Sequence, residues 1–392
     1  MVTHLAPERP PTTPTHTETG LKLVTLNIGP QHPATHGVLR LKTTLDGETI
    51  MDVEPVLGYL HRGVEKLFED GSYLQAIPMT DRFDYLAAMH NNYALCHATE
   101  TLMGVTEQVP EKAQYIRALT TEVQRVASHL LWLGAFGLDM GAITIFWWTV
   151  REREGAIALL ERLSGARLTY NWFRYGGVKN DLPDGWLDEL AKWIPYMRDR
   201  IAEYEGLLRD NDILKLRTVG VGVLDPEVGK AYGCSGPMLR GSGVDWDLRR
   251  DEPFNPVYQK LKWNVVTEKE GDNYARYRVR IREMHESLNM LEQMIDMVPQ
   301  EGDYIDPKIG EGPRQHRMKP PAGEVYAAIE GARGEYGCYI VSDGTNRPYR
   351  LKWRAPTLSN LMPLAELTRG LKIPDLIVTL GSVDIVLGDL DR

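Results

Sequence analysis

Apolar residues recur three and four apart along several long stretches, a spacing that predicts helices each burying one face. Residues 82–103 carry Leu86, Met89, Tyr93 and Cys96 at that period. Pro110 and Glu111 open a second run marked by Ile116, Leu119, Val123, Val126, Leu130 and Leu133. Leu187, Leu190, Ile194, Met197, Ile201, Tyr204 and Leu208 form a third, in which Pro195 predicts a kink. The fourth runs from Tyr277 through Ile281, Met284, Leu288, Leu291 and Ile295 to Val298. Its start, 276–282, also alternates like a strand, and the longer helical period decides. Sustained stripes of this kind predict antiparallel bundle packing.

Period-two patterns lie towards both ends. Residues 38–45 and 49–55 flank Asp46-Gly47, a two-residue hairpin signal, with Leu39, Leu41 and Leu45 on the inward face. A short turn or helix start at 61–66 is followed by an expected loop to Pro78. Further on, 324–330 and 336–341 flank Gly331-Ala332-Arg333-Gly334, and Tyr349, Leu351 and Trp353 alternate beyond. The fold class expected is α+β, mainly α: a long-helix bundle with small β elements near the N-terminus and in the C-terminal third. The division expected is a disordered Pro/Thr-rich tail over 1–20, a β-rich region over 21–78, a helical bundle over 79–310 and a mixed region over 311–392.

Composition narrows the chemistry. With 392 residues, 43% hydrophobic and 25% charged, the chain has the make-up of a globular protein. A net charge of −9 argues against a nucleic-acid partner. The three cysteines, Cys96, Cys234 and Cys338, are far apart. Without a C-x-x-C there is no self-contained iron–sulfur or cysteine-based zinc site, and a reducing compartment is expected. The tail lacks the apolar core of a signal peptide. Residues 130–150 are long enough to cross a bilayer and hold one charge, Asp139. A carboxylate at that depth costs about 2.5–3.5 kcal/mol. The expectation is therefore two buried helices meeting at a corner made by Gly134, Gly137 and Gly141. Gly220-Val221-Gly222 is followed by Asp225 where a dinucleotide fingerprint needs glycine, so that tract reads as a connector.

Candidate chemistry centres on 29–37, Gly-Pro-Gln-His-Pro-Ala-Thr-His-Gly. Pro33 and Gly37 make this a tight turn, so His32 and His36 have no helix to place them on one face as a zinc pair. A rigid turn with two solvated histidines is one reading; histidines awaiting partners from elsewhere is the other. Asp139 interrupts an apolar run and needs a partner if buried. Capping of the next turn is its local option. Paired with His32 or His36, it would raise that imidazole's pKa and fix its tautomer, an arrangement suited to proton delivery. Tyr85 is a second proton donor of suitable type. His90 and His97 stand about 10 Å apart along a helix axis, too far to share an ion. They and His129 read as ordinary packing or surface histidines.

Several motifs together carry a resemblance. They are the 29–37 loop, Gly58-Tyr59-Leu60-His61-Arg62-Gly63, Asp84-Tyr85-Leu86, Arg151-Glu152-Arg153-Glu154, Arg174-Tyr175-Gly176-Gly177-Val178, Ile340-Val341-Ser342-Asp343-Gly344 and Gly388-Asp389-Leu390-Asp391-Arg392. From about residue 21 to 392 the chain resembles the 49-kDa (D) subunit family of the proton-pumping NADH–quinone oxidoreductase, respiratory complex I. That family is similar in fold to nickel–iron hydrogenase large subunits, and Arg62-Gly63-Val64-Glu65 matches their R-G-x-E motif. Val386 and Asp389 stand where one nickel-binding cysteine pair would be, so nickel and hydrogen chemistry are excluded.

The resemblance implies a quinone pocket formed with the neighbouring B subunit, whose terminal [4Fe–4S] cluster supplies electrons, and coupling to proton pumping by membrane subunits. His36 and Tyr85 would hydrogen-bond the quinone carbonyls, with His32 a further pocket residue. Asp139 would be the carboxylate partner of His36, and Arg82 would lie near the cluster of the B subunit. FMN and iron–sulfur clusters would reside in partner subunits, with no metal or flavin on this chain. The partners implied are the B and C subunits, the ferredoxin-like I subunit and the membrane-embedded H subunit. The location implied is peripheral, on the cytoplasmic face of a bacterial cell membrane. One departure matters: Thr169, in Arg167-Leu168-Thr169-Tyr170-Asn171, stands where many members have a histidine beside that cluster. Its absence implies a lower-potential cluster and favours menaquinone over ubiquinone. A non-catalytic assembly scaffold, or a related complex with a donor other than NADH, are the alternatives.

Overall fold

The computed structural model describes residues 23–32, 35–310 and 313–392; the tail expected over 1–20 and the Pro33 turn lie outside them. Strand β1 (Val24–Ile28) runs antiparallel to β2 (Arg40–Asp46), which pairs with β3 (Thr49–Val56) in the register Arg40↔Val56 to Asp46↔Thr49. The Asp46-Gly47 hairpin is thus realised, with Gly47 at φ 61°. Leu39, Leu41 and Leu45 are buried as their alternation requires.

The turn or helix start expected at 61–66 opens helix α1 (Val64–Asp70), whereas the loop expected from there to Pro78 holds a second short helix, α2 (Tyr73–Thr80). The physical reason is a capping box. The Ser72 amide donates to Gln75 Oε1 (2.8 Å) and the Gln75 amide donates to Ser72 Oγ (3.4 Å). Pro78 is accommodated in the last turn of α2.

The long helices follow: α3 (Ala88–Met103), α4 (Glu111–Asp139), α5 (Ile143–Ser164), α6 (Trp186–Leu208, continuous through Pro195) and α7 (Asn273–Met297). α3 starts later than expected because residues 81–87 form turns; Asp84 Oδ1 accepts the Leu86 amide there at 3.1 Å. α4 is the central rod, packed by α3, α5 and α7. It passes through Gly134 and Gly137, and only Gly141, at φ 81°, turns the chain. The corner is not fully buried, since Ile143 and Trp147 are exposed. Among the described residues no helix is long and apolar enough to cross a membrane.

A second sheet, β4 (Gly323–Gly331), β5 (Gly334–Ser342) and β6 (Arg350–Arg354), has the order β6–β5–β4. Helices α8 (Ile373–Val383) and α9 (Leu387–Asp391) close the chain. The long helices and this sheet share one core. A second core joins Ile28, Leu39, Leu41, Leu45, Ile50 and Val53 to Leu376, Leu380, Val383, Leu387 and Leu390. At about 1.5–3 kcal/mol for each large side chain fully buried, this apolar contact fastens the N-terminal sheet onto α8 and α9. Backbone bonds reinforce it: Ile50 N donates to Leu371 O (2.9 Å) and Gly370 N to Ile50 O (2.8 Å). The loop after β1 is thereby laid against the end of α4.

Candidate functional site

His36 sits on the turn after β1 in the left-handed region, φ 53°. Its neighbours anchor it. The buried Thr35 donates its hydroxyl to His32 O (2.7 Å), and a Cβ on Gly37 would come within 2.7 Å of Leu387 Cδ1 on α9. Asp139 is the last residue of α4, aimed at the same spot. His36 Nε2 lies 2.7 Å from Asp139 Oδ2, and the two side chains are 14% and 8% exposed. Room for this carboxylate depends on Gly381 of α8, where a Cβ would stand 2.4 Å from Asp139 Oδ2. The partner that sequence left open for Asp139 is therefore His36.

Burial alone would lower the His36 imidazole. The Asp139 hydrogen bond, the Asp139 charge and the charge of buried Asp384 outweigh it and raise the group above its ordinary 6.5. With Nε2 bonded to a carboxylate, Nδ1 carries a proton only in the imidazolium form. The raised pKa favours the form of the ring that carries this second proton.

Tyr85 is half-buried in the turn before α3. Burial, then the charge of Asp84, raise its phenol above 10, against Arg333 and Arg62, so it stays a donor. Its ring edge would be 3.3 Å from a Cβ on Gly388, the residue after the Leu387 that packs on Gly37. Consecutive residues of α9 thus separate the His36 loop from the Tyr85 turn, and both face this short helix. No direct contact joins Tyr85 to His36 or Asp139 among the described residues. Arg82 is exposed, its guanidinium donating to Pro78 O. His32 is exposed on the two-residue strand Gln31–His32 and takes no part in the His36–Asp139 contact.

Behind these groups lies a buried charged layer that no sequence pattern announced. Arg333 donates from Nη1 to Asp84 Oδ2 (2.5 Å) and from Nη2 to Asp384 Oδ1 (3.0 Å). The Tyr336 hydroxyl also donates to Asp84 Oδ2. Asp389, fully buried, accepts from Trp353 Nε1 (3.2 Å) and the Thr357 amide (3.3 Å). Burial, with the nearby Asp84 charge, pushes its carboxyl up to about 7. Near Thr169, Asp81 accepts the Asn171 amide (2.9 Å), and burial raises its carboxyl to about 7. Asp84 and Asp389 stood inside motifs already singled out. Arg333 looked like a hairpin-tip residue, and nothing local signals its burial.

His129 also has a distant partner: its Nε2 is 2.9 Å from Glu283 Oε2, and both side chains are buried. Among the described residues no group of three or more His, Cys, Asp or Glu side chains could hold a metal ion.

The arrangement sets two proton-bearing groups, the His36 imidazole and the Tyr85 phenol, against one short helix. Residues 139–392 match the family model for the 49-kDa subunit of respiratory-chain NADH dehydrogenase. The chain is 50% identical over 366 residues to the NADH-quinone oxidoreductase D subunit of Geobacillus thermodenitrificans, covering 93% of this chain and 98% of that protein. The protein of the same name from Geobacillus kaustophilus is also 50% identical over 366 residues (93% and 97%). That of Bacillus anthracis is 49% identical over 368 residues (93% and 98%).

Proposed function

Because this chain belongs to the 49-kDa subunit family of respiratory-chain NADH dehydrogenase, we propose that His36, Asp139 and Tyr85 form the quinone-reducing site of the assembled NADH–quinone oxidoreductase. The observation that carries this reading is the 2.7 Å pairing of His36 with Asp139. It joins two residues 103 positions apart and leaves the other face of the imidazole for a ligand.

In this reading a quinone headgroup takes one hydrogen bond from His36 Nδ1 and one from the Tyr85 hydroxyl. Two electrons come from the iron–sulfur cluster of the neighbouring B subunit, and two protons convert quinone to quinol. His36 supplies one proton as the imidazolium, its charge held by Asp139 and Asp384; Tyr85 supplies the other and is reprotonated from water. The exposed Arg82 is assigned to the cluster-facing side. Coupling to proton pumping runs through membrane subunits. The chain works with the B, C, I and H subunits as a peripheral component on the cytoplasmic face of the membrane. The exposed Leu138, Ile143 and Trp147 at the α4–α5 corner, beside Asp139, support docking against an apolar partner. With Thr169 in place of histidine, the acceptor assigned is menaquinone. A cluster potential that changes little with pH supports that choice; a steep dependence contradicts it.

The test uses the assembled complex in membranes. His36→Ala is expected to lower quinone reduction at least about 100-fold, the scale of a lost general acid. Tyr85→Phe is expected to lower it by a smaller factor. NADH oxidation by an artificial acceptor, which bypasses the quinone site, should stay intact in both. Full quinone activity in both assembled variants would overturn the assignment.

A further inference from the structure

Hairpin tips ordinarily carry solvated residues, yet Arg333, at the tip between β4 and β5, is 1% exposed. The turn holds it inward: Asn360 Nδ2 donates to Arg333 O (3.0 Å), and Glu335 N donates to Ser235 Oγ (3.1 Å). Each nitrogen of its guanidinium has a partner. Nη1 reaches Asp84 Oδ2 (2.5 Å) and Ser128 Oγ (3.2 Å). Nη2 reaches Asp384 Oδ1 (3.0 Å), and Nε reaches the Asp384 carbonyl (3.0 Å). A buried guanidinium is costly unless so paired, and an apolar tip would close the hairpin without that cost.

The two carboxylates it joins serve different ends of the site. Asp84 immediately precedes Tyr85. Asp384 adds its charge at His36. We propose that Arg333 is a positioning residue that couples the His36 end of the site to the Tyr85 end through Asp384 and Asp84. The proposal rests on the reading of His36 and Tyr85 as the quinone contacts. A guanidinium fork is rigid and planar, so a lysine cannot hold both carboxylates and the carbonyl at once. When His36 gains a proton, it draws on Asp384 and weakens the share held by Arg333. Arg333 then bears more strongly on Asp84 and tightens the turn that carries Tyr85.

The charged groups involved are few. His36 faces Asp139 and Asp384. Tyr85 faces Asp84, Arg333 and Arg62. Arg333 faces Asp84, Asp384 and Tyr336. Arg280 Nε stands 3.9 Å from Asp384, and Asp389 faces Asp84.

The experiment compares Arg333→Gln and Arg333→Lys in the assembled complex, reading kcat against pH and KM for quinone. Removing the charge leaves Asp384 with only the more distant Arg280, 3.9 Å away, so more of its charge acts on His36. The pH at which activity declines should therefore rise by about 0.5 unit or more in Arg333→Gln, and KM should rise about threefold. Arg333→Lys should restore the pH midpoint but not KM. An assembled Arg333→Gln complex with both parameters unmoved would overturn the proposal. Should that variant not assemble, Asp84→Asn decides. It frees Arg333 to pair with Asp384 alone, so the midpoint should fall, and an unmoved midpoint would overturn the coupling. His36→Ala is measured alongside. Full quinone activity there sinks the site reading itself, whereas an unchanged Arg333→Gln beside an inactive His36→Ala sinks only the coupling.

Discussion

Two histidine–carboxylate pairs in this molecule have nearly the same geometry and opposite electrostatics. His36 and Asp139 meet at 2.7 Å, His129 and Glu283 at 2.9 Å. Burial depresses both imidazoles, and a carboxylate opposes it in both. At His36 the Asp139 hydrogen bond and charge, with a smaller contribution from Asp384, outweigh burial and raise the ring. At His129 burial prevails over Glu283, with smaller contributions from the cations Arg280 and Arg125 in the same direction, and the ring is lowered. Glu283 is moreover held by Arg240 Nη2 at 2.7 Å. The pair itself is therefore not the functional signature. What distinguishes the two histidines is how far burial is offset by the partner carboxylate and by the charges behind it.

The two pairs also stabilise the fold in opposite pH windows. His36 is raised, so its contribution is full below about 6.5 and is lost as pH rises through its raised value. His129 is lowered, so its contribution is full above about 6.5 and is lost as pH falls through its lowered value.

The largest expected effect tests the structural member. Glu283→Gln leaves the buried Arg240 with less compensating charge and should destabilise the protein by about 3–5 kcal/mol, read from thermal unfolding. The pH midpoint of quinone reduction in whatever complex assembles should not move. A shifted midpoint there would mean that His129 shares the work assigned to His36. Next in size, His129→Gln should cost about 1–3 kcal/mol by unpairing a buried carboxylate oxygen. It should also weaken the acid sensitivity of folding, seen as a flatter fall of melting temperature below about pH 6.5. A smaller effect belongs to the other pair. Gly381→Ala intrudes on Asp139 Oδ2 and should lower quinone reduction about threefold with little change in stability. Unchanged activity would show that the Asp139 position is not critical.

Much of this architecture was legible because local periodicity and burial agree. The hairpin at Asp46-Gly47, the helices ending at Leu208 and Met297, and the strands around Tyr336 all obeyed their patterns. The exceptions have identifiable causes. Helix α2 was missed because its signal is a capping box, Ser72 with Gln75, ahead of a proline that suggested a loop. The strand-like alternation at 276–282 arises because Arg276 and Arg280 are fully buried, so polar positions no longer mark the solvent face. Arg276 Nε donates to Ser382 Oγ at 3.0 Å, and Arg280 Nη1 to Ser382 O at 3.0 Å.

The candidate site divides in the same way. His36 and Asp139 stand out as residue types in unusual surroundings, a proline-bounded turn and an apolar run, and Tyr85 only as a proton donor of suitable type. Their partners do not. Asp384 and Arg333, like Glu283, come from elements far along the chain, and only the folded structure brings these charges to bear. Arg333 carried the opposite signal, since a Gly-flanked hairpin tip predicts exposure.

The central claim is that Asp139 holds a proton on His36 for delivery to the bound quinone. Its most direct test is the pH dependence of quinone reduction by the assembled complex, wild type against Asp139→Asn. The asparagine keeps the shape and removes the charge, so the pH at which activity declines should move down, by about one unit. A decline at the same pH in both proteins would contradict the account.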